Sequence, residues 1–231
     1  MRDPARAAVR WWGRLASVRR REVEVAKTSK GAKRRRGTVY LVVVGAVAVA
    51  VVAVLVASRP FGGPLDWGIR GAALLAYLAI FLAAVASAFM RRLTMLLGRP
   101  FVRTHHVLSV AGLALASLHP LGVAVRSADL GVFLPNFSSL RLLLSLGGRP
   151  AWYLMGAAAL AAVLRRRIKG SWRGIHVLNY VAFLLATAHA ILIGTDFFSP
   201  VMKAVAAVMA LGVAVVFVRK RVERSKVRRR K

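Results

Sequence analysis

From Val39 to Ala57 nineteen consecutive residues carry no charge, and Gly71–Met90 and Thr104–Val125 repeat the pattern over similar lengths. A helix needs about 18 to 20 apolar residues to cross the hydrocarbon core, where every backbone polar group must be satisfied within the protein. Six such spans are expected: Val39–Ala57, Gly71–Met90, Thr104–Val125, Gly147–Leu164, Gly174–Gly194 and Val201–Val218. The fourth carries Arg149 and the sixth Lys203 near one end, so both depend on long cationic side chains reaching back to the headgroups. With 58% hydrophobic residues, the fold class expected is an all-α membrane protein, a six-helix transmembrane bundle.

The charge balance, 37 Lys+Arg against 7 Asp+Glu, would suggest nucleic-acid binding in a soluble chain. Its distribution argues for topology instead. Of the 37 cations, 31 fall before the first span, between spans two and three, between four and five, and after the sixth. Arg59, Arg70, Arg126, Arg141, Arg149 and Lys203 remain for the opposite side. An even number of spans puts both termini on one side, and the positive-inside rule makes that side cytoplasmic. The expectation is therefore a multi-pass protein of the cell membrane with both termini cytoplasmic, membrane lipid as a partner and no nucleic acid.

Three regions follow: a basic cytoplasmic arm over 1–38, the six-span region over 39–218 and a basic cytoplasmic tail over 219–231. In the arm, Ala5–Val25 can form an interfacial helix with Trp11, Trp12, Leu15 and Val18 near one side and Arg6, Arg10, Arg14 and Arg21 elsewhere. The cluster Lys33–Arg36 adds attraction to anionic lipid, with docking of an acidic electron donor as a second use. No cleavable signal peptide is expected, because the first apolar run begins far from Met1.

All five histidines lie in spans three and five. An imidazole within a bilayer is costly unless something binds it, and two helices with a histidine near each face suggest two bis-histidine haem sites, one above the other. The chain has no cysteine, which excludes thiolate-ligated clusters, covalent c-type haem and a Cys-axial haem. No carboxylate falls at mid-span, which argues against a proton- or cation-coupled transporter. Fourteen residues of ideal helix rise about 21 Å and return to within about 40° of the starting direction, so His105 and His119 share a face. His106 points roughly 140° away from His119 and is the weaker candidate. The spacing of thirteen between His176 and His189 puts them on different faces of an ideal helix and requires a local tightening or different rotamers.

The segment Arg103-Thr104-His105-His106-Val107-Leu108 running to Leu118-His119, with Trp172-Arg173-Gly174-Ile175-His176-Val177-Leu178-Asn179-Tyr180 running to His189, resembles the ferric reductase-like transmembrane domain. That family includes ferric reductases, the membrane core of NADPH oxidases and the haem-bearing subunit of the periplasmic methionine sulfoxide reductase system. The resemblance covers roughly residues 40 to 218. It implies two haems b between spans three and five, ligated by His105 with His176 on the cytoplasmic side and by His119 with His189 on the outer side. The family often reads His-Arg-Leu-Leu-Gly after the first histidine, whereas this chain has His106 for the arginine and Ser109 near the glycine. A cation for a haem propionate is thereby lost. Arg103 and Arg173, with Trp172 beside them, are the expected cofactor neighbours, and Arg99 lies near the same face.

Larger members carry a flavin and nicotinamide module after the last span. Here about a dozen residues, nearly all basic, follow Val218, and no G-x-G-x-x-G follows a strand. The resemblance thus implies an oxidoreductase membrane subunit, a transmembrane electron carrier. It takes electrons from a separate flavoprotein or quinol and passes them to a periplasmic or extracellular acceptor or partner protein. The alternative is a non-redox transporter or scaffold with structural histidines.

The connection from Arg126 to Leu146 is too apolar for a solvated loop, with Leu130, Phe133, Leu134, Phe137 and Leu140 broken by Pro135-Asn136. It is expected to lie on or dip into the outer surface.

Overall fold

A computed structural model describes the backbone of residues 4–58, 62–98 and 100–229, with side chains throughout except in most of 4–30 and 223–229. Arg99 and the expected tryptophan face of the arm lie outside the described side chains. The described residues form nine α-helices and short 3₁₀ turns, with no strand. The helices are α1 (Pro4–Ala57), α2 (Pro64–Ala86), α3 (Met90–Leu97), α4 (Phe101–Ser127), α5 (Leu140–Ser145), α6 (Gly148–Val163), α7 (Trp172–His176), α8 (Leu178–Ile193) and α9 (Pro200–Arg229).

Among the described residues five segments are long and apolar enough to cross a membrane: Gly31–Ala57, Pro64–Ala86, Phe101–Ser127, Lys169–Ile193 and Pro200–Val222. The expected fourth span forms α6, whose 16 residues rise about 24 Å, short of the roughly 30 Å hydrocarbon core.

Several boundaries depart from the apolar runs for identifiable reasons. The arm and the first span form one unbroken helix of 54 residues, since nothing between Val25 and Val39 is a strong helix breaker. In α2 the helix begins at Pro64, a residue suited to the first turn, and continues through Arg70. Arg70 is tolerated there because Asp196 neutralises it, with Arg70 Nε 3.1 Å from Asp196 Oδ2 and both side chains 11% exposed. At the far end Ser87 caps α2 and the chain turns through Ala88-Phe89, so Met90 opens a new helix.

Contacts at the two ends fix the antiparallel order. At one end the Arg70–Asp196 pair joins the start of α2 to the α8–α9 turn. Arg70 Nη1 also donates to the Val56 carbonyl of α1 at 3.3 Å, and Arg126 of α4 pairs with Asp66 of α2 at 2.7 Å. At the other end Lys220 Nζ of α9 donates to Ser87 Oγ at 2.7 Å, and the Arg219 guanidinium lies over Phe89. There too Gly37 of α1 lets the α3 carbonyl of Leu97 approach so closely that a Cβ at residue 37 would clash with it.

α2 lies against α4, and α6 against α8. Gly112 and Gly122 permit the α2–α4 approach, since a Cβ there would meet Ile80 Cγ1 at 2.9 Å and Ile69 Cγ1 at 2.5 Å. Two polar ties close the ring of four. Trp152 Nε1–H of α6 donates to Ser117 Oγ of α4 at 2.9 Å, and Ser117 donates on to Leu113. On the opposite side Thr187 Oγ1–H of α8 donates to the Phe183 carbonyl, so the Tyr77 hydroxyl of α2 donates to Thr187 Oγ1 at 2.8 Å. Tyr77 also stacks on Phe183 with ring centroids 4.8 Å apart. Between the ties sits an apolar cluster of Ala151, Met155 and Ala182 with Leu113 and Leu185.

The apolar connection is folded. A 3₁₀ turn at Leu130–Phe133 is capped by Asp129, which accepts from the Gly131 N–H, and α5 is capped by Ser139. Phe133 packs on Trp152 and Arg149 Nη1 donates to the Leu134 carbonyl at 2.8 Å, which fastens the connection to α6. Leu130, Leu134, Phe137 and Leu140 face outward.

Candidate functional site

Four of the five histidines come together as two pairs. His105 of α4 faces His176 of α7 with ring centroids 6.5 Å apart and planes at 70°. His119 of α4 faces His189 of α8 at 6.5 Å and 68°. On α4 the pairs are fourteen residues apart, about 21 Å along the axis. Pro120 does not end α4, which runs on to Ser127.

The spacing of thirteen on the second helix is accommodated by a break. α7 ends at His176, Val177 forms a turn, and the Tyr180 N–H bonds the Val177 carbonyl at 3.0 Å, an i to i+3 bond. Such a turn rotates about 120° per residue rather than about 100°, so it moves His176 toward the face of His189.

Each ring is held from behind by a backbone carbonyl. His105 Nδ1 bonds the Ala83 carbonyl at 3.2 Å and His119 Nδ1 the Ile69 carbonyl at 3.2 Å, both on α2. His189 Nδ1 bonds the Ser145 carbonyl at 2.7 Å and His176 Nδ1 the Ala158 carbonyl at 3.3 Å. Ala83 and Ile69 are fourteen residues apart like the histidines they hold, and Ala158 and Ser145 are thirteen apart like theirs. A carbonyl only accepts, so Nδ1 carries the proton in each ring and Nε2 keeps the lone pair. At His176 the Asn179 side-chain amide nitrogen also lies 3.4 Å from Nδ1.

This donor set fits a planar metal macrocycle. A metal bound to imidazole nitrogen at about 2.0–2.1 Å, with the ring centre about 1.1 Å behind that nitrogen, separates two trans ring centroids by about 6.3 Å. A histidine ligand whose other nitrogen donates to a carbonyl has its tautomer and orientation fixed in advance. Among the described residues no three His, Cys, Asp or Glu side chains converge, so a group seated at either pair would be held through two imidazole nitrogens. A close approach also guards the second pair: a Cβ at Gly148 would lie 3.0 Å from His189 Cδ2 and 3.1 Å from its Nε2.

The remaining expected residues are distributed unevenly. His106 is exposed, its ring 6.0 Å from that of His105, and it joins neither pair. Trp172 lies 5.9 Å from His176, and the Arg173 guanidinium stacks over Trp172 at 5.1 Å. Arg103 is exposed. Thr104 Oγ1, on the residue before His105, is buried without a hydrogen-bond partner. Sequence reasoning missed Lys220, Ser87 and Gly148. Lys220 carries no signal in a basic tail, whereas the adjacent glycines Gly147-Gly148 are a cue to close approach.

No known protein family, characterised protein or solved structure matches this chain.

Proposed function

We propose that this protein is a b-type haem transmembrane electron carrier, a ferric reductase-like oxidoreductase component. His105 with His176 holds one haem and His119 with His189 the other. The observation that carries this reading is the pair of 6.5 Å imidazole couples, each ring held at Nδ1 by a carbonyl with Nε2 left to bind. Bound haem supplies a one-electron iron couple at each level. The protein supplies axial ligands, a low-dielectric bundle and the spacing. The packed cluster of Ala151, Met155 and Ala182 excludes water between the levels.

In this reading α6 is the fourth of six spans. Its short rise is extended by the 3₁₀ turn Leu164–Arg166, and the exposed Arg165–Arg167 reach the headgroups from that end. Six spans put both termini in the cytoplasm of a cell membrane by the positive-inside rule, with the His105 pair on the cytoplasmic side. Trp172 shields the His176 edge, and Arg173 and Arg103 lie at that mouth. Electrons arrive from a flavoprotein or membrane quinol outside these residues and leave from the His119 pair to an external acceptor or partner protein.

The test is a dithionite-reduced minus oxidised spectrum of the detergent-purified protein, with haem counted per polypeptide. A b-type spectrum at about two haems per chain is expected. A protein that takes up no haem under adequate supply overturns the proposal and favours a transporter or scaffold with structural histidines.

A further inference from the structure

Each histidine pair has beside it one half-buried cation with no carboxylate partner among the described residues. At the His105 end every other Lys or Arg whose side chain is described is exposed, whereas Lys220 is half-buried. Its ammonium donates to Ser87 Oγ at 2.7 Å, and Ser87 donates its hydroxyl to the Ala84 carbonyl and its N–H to the Ala83 carbonyl, which also receives His105 Nδ1–H. Lys220 thus stands about one helical turn, roughly 5–6 Å, beyond the group that orients His105, on the side of the bundle end. At the opposite end Arg70 and Arg126 are paired with Asp196 and Asp66, and Arg141 and Lys203 are exposed. Arg149 is half-buried, bonds only the neutral Leu134 carbonyl, and directly follows Gly148, whose Cα edge meets the His189 ring.

A partly desolvated cation is costly without an opposite charge nearby. Two of them, one beside each imidazole pair, call for an anion at each site. The unpartnered Thr104 hydroxyl adds a buried donor beside His105.

We infer that Lys220 and Arg149 receive the carboxylates of the groups seated on the two histidine pairs, Lys220 at the His105–His176 pair and Arg149 at the His119–His189 pair. The inference deepens the haem reading and rests on it. It assigns the propionates to cations from α9 and α6 rather than to the exposed Arg103 and Arg173. At each site the carboxylate replaces a neutral acceptor, Ser87 Oγ or the Leu134 carbonyl, with a charge-assisted bond.

The experiment uses full-length apoprotein from a haem-limited host, in detergent. It is titrated by Soret absorbance with haem and with haem dimethyl ester, which lacks both carboxylates. His119→Ala isolates the first site and His105→Ala the second. A charge-assisted hydrogen bond predicts that haem binds about tenfold to a hundredfold tighter than the ester at each isolated site. Lys220→Met in the first background and Arg149→Met in the second bring that ratio to about one with the ester affinity unchanged, and Lys220→Arg retains the preference. Parallel weakening of both ligands, or an unchanged ratio, overturns the assignment while leaving the haem reading intact. Failure of both tetrapyrroles to bind the unsubstituted chain removes the haem reading and the assignment together.

Discussion

The ring of His189 faces that of His119 at 6.5 Å and is itself fixed by a 2.7 Å bond from Nδ1–H to the Ser145 carbonyl. His119 is fixed in the same way on Ile69, and the other pair repeats the arrangement on Ala83 and Ala158. Four imidazoles oriented by backbone rather than by side chains form a rigid set, because helix carbonyls do not rearrange with rotamers.

The two levels should therefore fail independently. His119→Ala or His189→Ala is expected to lower haem from about two per chain to about one, and His105→Ala or His176→Ala to do the same at the other level. His106→Ala is expected to leave both. Pyridine haemochrome assay against protein concentration measures this, and loss of a haem in His106→Ala with none lost in His105→Ala would put the ligand one residue later.

The shared face of His105 and His119 was legible in the sequence because fourteen residues on one helix return to one face, a property of the helix alone. The shared face of His176 and His189 was not derivable this way. Its alignment depends on the break at Val177, and nothing in Gly174-Ile175-His176-Val177-Leu178 announces a break. The early start of α2 was hidden for a related reason: Arg70 reads as the end of an apolar run until Asp196, far along the chain, is seen to neutralise it. Lys220 is invisible in a run of basic residues until α9 docks on α2 and carries it to Ser87. In the last two cases the missing information is a contact between distant elements rather than a property of one helix.

Gly148→Ala tests the tight approach of α6 to His189. Replacing glycine by alanine in a helix ordinarily gains about 0.5–1 kcal/mol. Here the new Cβ would stand 3.0 Å from His189 Cδ2 and 3.1 Å from Nε2, and the ring has no slack because Nδ1 is tied to Ser145. The expected result is selective loss of the haem at the His119–His189 level, with the other retained. Retention of two haems at undiminished affinity would show that the ring moves aside freely.

The two polar ties that close the four-helix ring are expected to matter modestly. Tyr77→Phe removes the bond to Thr187, and Trp152→Phe removes the bond to Ser117, while each leaves most of the aromatic packing in place. Interhelical hydrogen bonds in membrane proteins average about 0.6 kcal/mol and reach about 1.7 kcal/mol. Each variant is expected to lose about that much stability in a detergent-denaturation series and to keep about two haems per chain. Loss of a haem in either variant would instead make that tie part of the cofactor site.

The largest single stability effect should lie at Arg70 and Asp196. Both side chains are 11% exposed, and Arg70 also donates to the Val56 carbonyl of α1, so one guanidinium ties α1, α2 and the α8–α9 turn together. Arg70→Met leaves Asp196 as a buried carboxylate beside an apolar surface, and Asp196→Leu takes from the guanidinium the carboxylate it is paired with. Removing one partner of a buried pair costs about 3–5 kcal/mol, whereas replacing both by apolar residues is often close to neutral. Each single variant is thus expected to be strongly destabilised in thermal unfolding of the detergent-solubilised protein. The double variant Arg70→Met with Asp196→Leu should recover most of the loss, falling short by about 0.5–1.5 kcal/mol for the bond to Val56. Additive losses in the double variant would mean that the pair contributes through packing on either side rather than through its charges.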